Sequence, residues 1–81
     1  MKVINKEKLS EFLALKIKGH IIKIPSIYYD DYYFYQAKDD YSCGTQFYEH
    51  KITGNLYYFP THDGYSMKVE NFILVYGDSY D

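Results

Sequence analysis

The chain carries one cysteine, Cys43, and three histidines, His20, His50 and His62. A thiol nucleophile needs a base beside it and a third group to orient that base. Cys43 and His50 stand seven residues apart, so on one strand they point to opposite faces. Pairing them needs a bulge or a different histidine. The Cys and His spacing matches no zinc pattern of paired short loops. Asp30, Asp31, Asp39 and Asp40 come as two pairs, without the loop spacing and bidentate glutamate of a calcium hand. The five glycines, at 19, 44, 54, 64 and 77, form no phosphate-cradling run. The expectation is a non-enzymatic chain with no metal site and no cofactor. Cys43 is the one nucleophile to keep in view.

A stronger signal is the stretch from Ile27 to Tyr41. It packs six tyrosines, one phenylalanine and four aspartates into fifteen residues. Tyrosine combines a large apolar ring with a polar tip and suits half-buried positions. Aspartate is almost never fully buried unless paired. Interleaving the two predicts an exposed, amphipathic, negatively charged surface. Tyr28, Tyr29, Asp30, Asp31, Tyr32, Tyr33, Asp39, Asp40 and Tyr41 are its candidate partner-binding residues. Tyrosine supplies anchor area, and aspartate supplies steering and charged pairs.

Several elements must position that stretch. Asn5 is a suitable N-cap and Gly19 a suitable C′ glycine, which predicts a helix over 5–18. Leu9, Phe12, Leu13 and Ile17 follow the spacing of one buried face, with Lys16 intruding on it. After Gly19 the period becomes two. A strand over 20–24 stops at Pro25, and another spans Tyr32 to Ala37. Tyr41 to Thr53 reads as a longer strand, with Gly44 marking a bulge or bend. Gly54-Asn55 has the Gly-first signature of a two-residue hairpin turn, setting His50 opposite Phe59 and Ile52 opposite Tyr57. One face then holds Tyr48, His50, Ile52, Tyr57 and Phe59 and reads as the core face. Asp63-Gly64 marks a second turn. Pairing through it sets Tyr58 opposite Val69, which makes the other face apolar too. Residues 71–76 form a continuous apolar strand with the look of a doubly covered one.

Together these predict one α+β domain over 1–81: an N-terminal helix on a curved antiparallel sheet of about five strands, with an SH3-like or OB-like small barrel as one form of it. An 81-residue chain buries only roughly 60% of its unfolded surface, so its core is thin. A single thiol supplies no internal disulfide and fits a reducing, cytoplasmic setting. No run approaches the ~18 apolar residues of a membrane span.

The net charge of −2 hides an asymmetry. Residues 1–23 hold six lysines and two glutamates, and residues 24–81 hold three lysines and nine acids. There is no arginine, the favoured fork for phosphates and guanine edges. An acidic surface steers toward basic partners and repels nucleic acid. The expected function is therefore a small inhibitor or regulator that docks its Tyr/Asp face on a basic protein surface, such as a nucleic-acid channel. The profile suits a phage or mobile element. A tyrosine-rich strand edge also allows a homodimer. The alternative is a single-stranded nucleic-acid binder, with tyrosines stacking bases and N-terminal lysines tracking phosphates. Tyrosines that neighbour lysine rather than aspartate would favour it.

Overall fold

A computed structural model describes residues 2–38, 45–59 and 69–77. In chain order the elements are β1 (Lys2–Val3), α1 (Lys6–Ile17), β2 (Ile21–Pro25), β3 (Tyr32–Ala37), β4 (Gln46–His50), β5 (Leu56–Phe59), a 3-10 turn (Val69–Asn71) and β6 (Ile73–Gly77). The six strands form one antiparallel sheet in the order β1-β6-β5-β4-β3-β2. The fold is thus α+β, as the sequence predicts. The strand beyond the expected five is β1, which pairs Lys2 with Gly77 and Val3 with Tyr76.

The helix ends follow from local chemistry. The Asn5 side chain accepts a hydrogen bond from the Lys8 backbone N–H at 3.0 Å, satisfying one orphan donor of the first turn. At the other end the Gly19 N–H donates to the Lys16 carbonyl and the His20 N–H to the Leu15 carbonyl. This is a Schellman closure, and Gly19 sits at φ 74°, where only glycine avoids a steric penalty.

The buried stripe is not the predicted one. Phe12 and Leu15 are buried and Leu9 packs against them, whereas Leu13 and Ile17 face solvent. Residues at i, i+3 and i+6 lie on a row inclined to the helix axis. That row carries α1 across the sheet as the chain passes from edge strand β1 to edge strand β2. Lys16 does snorkel: its ammonium lies 5.8 Å from the Phe12 ring centroid.

Both faces of the sheet are covered. On the helix side Phe12, Leu15, Ile21, Tyr35, Phe47, Leu56 and Val75 form one cluster. On the other side Tyr32, Tyr48 and Phe59 form a second, packed by Tyr29, Phe34, Tyr57 and Phe72. The conflict between two apolar faces in the sequence therefore has a simple resolution. A register shift on β6 adds to it: Leu56 pairs with Tyr76 but Tyr57 with Leu74, so Val75 is the extra residue of a β-bulge. The bulge turns Val75 and Tyr76 toward the same, helix-side cluster.

The β4–β5 hairpin differs from the two-residue turn expected. Glu49 pairs with Leu56 and Tyr48 with Tyr57, and His50 and Asn55 close a loop of Lys51, Ile52, Thr53 and Gly54. Gly54 adopts φ 76° as the last loop residue rather than the first turn residue. The slip is an even number of residues, so Tyr48, Tyr57 and Phe59 keep the face assigned to them. Ile52 does not: it leaves the core face for the loop tip. Tyr58 pairs with Ile73, not Val69, so the β5–β6 connection is longer than drawn. The predicted turn at Asp63-Gly64 and the predicted bulge at Gly44 lie outside the described residues.

Candidate functional site

The β2–β3 loop, residues 26–31, is shaped by one hydroxyl. Ser26 Oγ accepts from the backbone N–H of Tyr28 at 3.2 Å and of Tyr29 at 3.0 Å. Such a side-chain-to-backbone turn fixes which way successive residues point. Ile27 and Tyr28 point outward, 82% and 76% exposed. Tyr29 points inward, with its ring edge-on to Tyr48 at 5.4 Å and to Phe72 at 5.2 Å. The Tyr32 N–H then donates to the Tyr29 carbonyl, leaving exposed Asp30 and Asp31 at the centre of a turn.

The β4–β5 loop lies against it. The Lys51 N–H donates to the Asp31 carbonyl at 2.8 Å. His50 Nδ1 accepts from the N–H groups of Ile52 and Thr53 at 3.2 and 3.3 Å, which stands Ile52 at the tip, 86% exposed. The His50 ring sits edge-on to Tyr32 at 5.1 Å. Three large apolar side chains and two carboxylates therefore share one end of the sheet.

The predicted set divides in space. Tyr28, Asp30 and Asp31 are on that surface, with Tyr29 beneath it. Tyr32 is buried in the aromatic cluster, where its ring contacts Tyr29, Tyr57 and Phe72. Tyr33 is half-buried on the opposite, helix-side face. Lys23 and Lys51 lie 4.8 and 5.5 Å from its ring centroid. Asp39, Asp40 and Tyr41 lie outside the described residues. Sequence reasoning missed Ile52 by setting it on the core face. Ile27 opened the predicted surface stretch but was not among its named contact residues, which were tyrosines and aspartates. A four-residue loop ending in Gly54 would have exposed Ile52.

Beside Tyr33, Glu49 is the hub of a polar patch. Its Oε1 accepts from the Tyr35 hydroxyl at 2.7 Å and its Oε2 from Lys23 Nζ at 3.4 Å. Burial first, then the hydrogen bond and charge of Glu49, hold the Tyr35 phenol well above its usual range. Burial chiefly pushes Tyr48 up to about 12 and raises Tyr29, Tyr32 and Tyr76 as well. These phenols serve as neutral packing groups, and that of Tyr35 also donates a hydrogen bond.

Among the described residues no three His, Cys, Asp or Glu side chains converge as a metal site would require. Cys43 and His62 lie outside them, and His50 uses Nδ1 to cap its loop. Among the described residues no helix is long and apolar enough to cross a membrane. The β2 edge carries exposed Lys23 and Pro25. Both are features that discourage strand-to-strand association. No family model, no curated protein and no solved structure matches this chain.

Proposed function

We propose that the chain is a non-enzymatic binding module that docks on a basic surface of another protein through the end of the sheet built from the 26–31 and 51–54 loops. The observation that carries this reading is the exposure of Ile27, Tyr28 and Ile52 on adjoining loops, rimmed by Asp30 and Asp31. Apolar side chains rimmed by polar ones are the usual form of an interaction surface. Tyrosine and isoleucine offer anchor area, and the two carboxylates select a basic partner and speed its approach. A role as an inhibitor, from a phage or mobile element, fits a module of this size that presents one acidic docking end.

Charge reversal tests the reading. Asp30→Lys/Asp31→Lys should weaken binding and flatten its dependence on salt. Unchanged affinity would sink it.

One observation favours the second reading, single-stranded nucleic-acid binding. Tyr33 lies under Lys23 and Lys51, and Tyr58 under Lys8 at 5.2 Å. Rings beside ammonium groups suit base stacking with phosphate contact. Both rings are half-buried on the helix-side face, away from the exposed Tyr28, and Lys23 is engaged by Glu49. Binding of a fluorescent oligothymidine that falls steeply with salt and is lost in Lys23→Glu/Lys51→Glu would move the assignment to this reading.

A further inference from the structure

The face opposite α1 holds a groove of about 200 Å³ beside the Tyr28 loop. Its floor is a row across three strands: Ile24, Phe34 and Tyr48 stand side by side on β2, β3 and β4. The 26–28 segment overhangs one side and brings Tyr28 to the wall. Gln36 and Gln46 supply carboxamides to the lining, and among the described residues no charged side chain joins it.

We infer that this groove receives a single aromatic side chain carrying a hydrogen-bond donor, an indole above all, from a partner segment in which lysine or arginine flanks that residue. The inference rests on the docking reading and gives it a partner chemistry. Three features select the occupant. The volume suits one large ring and falls below the roughly 300–1,000 Å³ of sites that take drug-sized ligands. The Phe34 and Tyr48 rings, 5.0 Å apart and tilted by 34°, present edges and faces for a third ring to pack on. The glutamine carbonyls are acceptors, and a buried indole N–H needs one, whereas a leucine or phenylalanine would leave the carboxamides unused. The flanking charge follows from Asp30 and Asp31, which stand exposed on the loop that forms the groove wall.

The chain has no tryptophan and twelve tyrosines, so an added indole reports alone when it is excited beyond the tyrosine absorption band. The experiment is a fluorescence titration of Lys-Trp-Lys amide with the full chain, beside Glu-Trp-Glu amide. Expected is a saturable blue shift with a Kd of roughly 0.1–1 mM, weakened about tenfold by Asp30→Lys/Asp31→Lys. Gln36→Arg, at an exposed position that leaves the core intact, should weaken it similarly by obstructing the groove. No saturable change, equal binding of Glu-Trp-Glu amide, or indifference to Gln36→Arg would overturn the inference. The two readings fail separately. A captured protein partner that Lys-Trp-Lys amide does not displace refutes the groove's role and leaves docking standing. A chain that binds the peptide through the groove yet captures no protein refutes docking.

Discussion

On one face of the sheet a helix lays Phe12 and Leu15 over Tyr35, Phe47, Leu56 and Val75. On the other no helix arrives among the described residues, and Tyr29 and Phe72, from a loop and from the residue before β6, close over Tyr32, Tyr48, Tyr57 and Phe59. Phe72 stacks on Tyr48 at 4.7 Å and 20°, with Tyr29 edge-on to both. The difference explains the composition. On the helix side leucine, isoleucine and valine share the cluster with aromatics, whereas every member of the other cluster is a tyrosine or phenylalanine. The second face is closed by rings, because a single aromatic covers as much area as several smaller groups. Most tyrosines on that face are therefore packing, and the exposed Tyr28 stands apart from them.

Truncations on the two faces should differ. Phe12→Ala removes the only aromatic of α1 from a fully buried site and should cost about 3–5 kcal/mol in urea unfolding. Phe72→Ala, at a half-buried site, should cost about 2–3 kcal/mol and leave amide exchange in α1 slow, because the helix cluster does not use it. Equal costs, or loss of helix protection in Phe72→Ala, would make the two faces one cooperative core. Glu49→Ala strands the Tyr35 hydroxyl on the helix side and should cost about 1–3 kcal/mol, with Glu49→Gln costing less.

Alkaline titration sharpens the contrast further. Burial raises the folded-state pKa of Tyr48 to about 12 and raises those of Tyr29, Tyr32, Tyr35 and Tyr76. A raised pKa means these neutral phenols contribute stability in full below the unfolded value of about 10. That contribution is lost as pH climbs through the folded values. Phenolate absorbance should therefore rise partly in step with unfolding at strongly alkaline pH. A complete rise on a folded chain would contradict the packing described. The smallest effect on stability belongs to Ile52→Lys, within about 0.5 kcal/mol, although it should weaken partner binding.

The helix was legible because its two ends carry local signals, Asn5 and Gly19, that need no tertiary context. Its buried face was not. Leu13 and Leu15 flank the same sequence position, and only the path of α1 across the sheet selects Leu15. Strand β3 was read at its true bounds, from Tyr32 to Ala37, because Asp30-Asp31 before it and Lys38-Asp39-Asp40 after it break the run. The β4–β5 register slipped because Gly54 can serve a short turn or end a longer one, and the sequence does not rank them. That slip hid Ile52, and with it half of the candidate docking end. Asp30 and Asp31 were visible because paired aspartates belong at the surface. That Tyr29 and Tyr32 turn inward was not legible, because a tyrosine that closes a core and one that faces solvent are the same residue in the sequence.

The most direct measurement is a tagged pull-down from lysate of the source organism or its host, with and without nuclease, beside Asp30→Lys/Asp31→Lys. A nuclease-resistant protein that binds the native chain and is lost with the double substitution is the predicted result, and that protein should carry a basic contact surface. Nucleic acid alone in the eluate, with nothing left after nuclease, would contradict the account and transfer the function to the lysine-flanked tyrosines of the helix-side face.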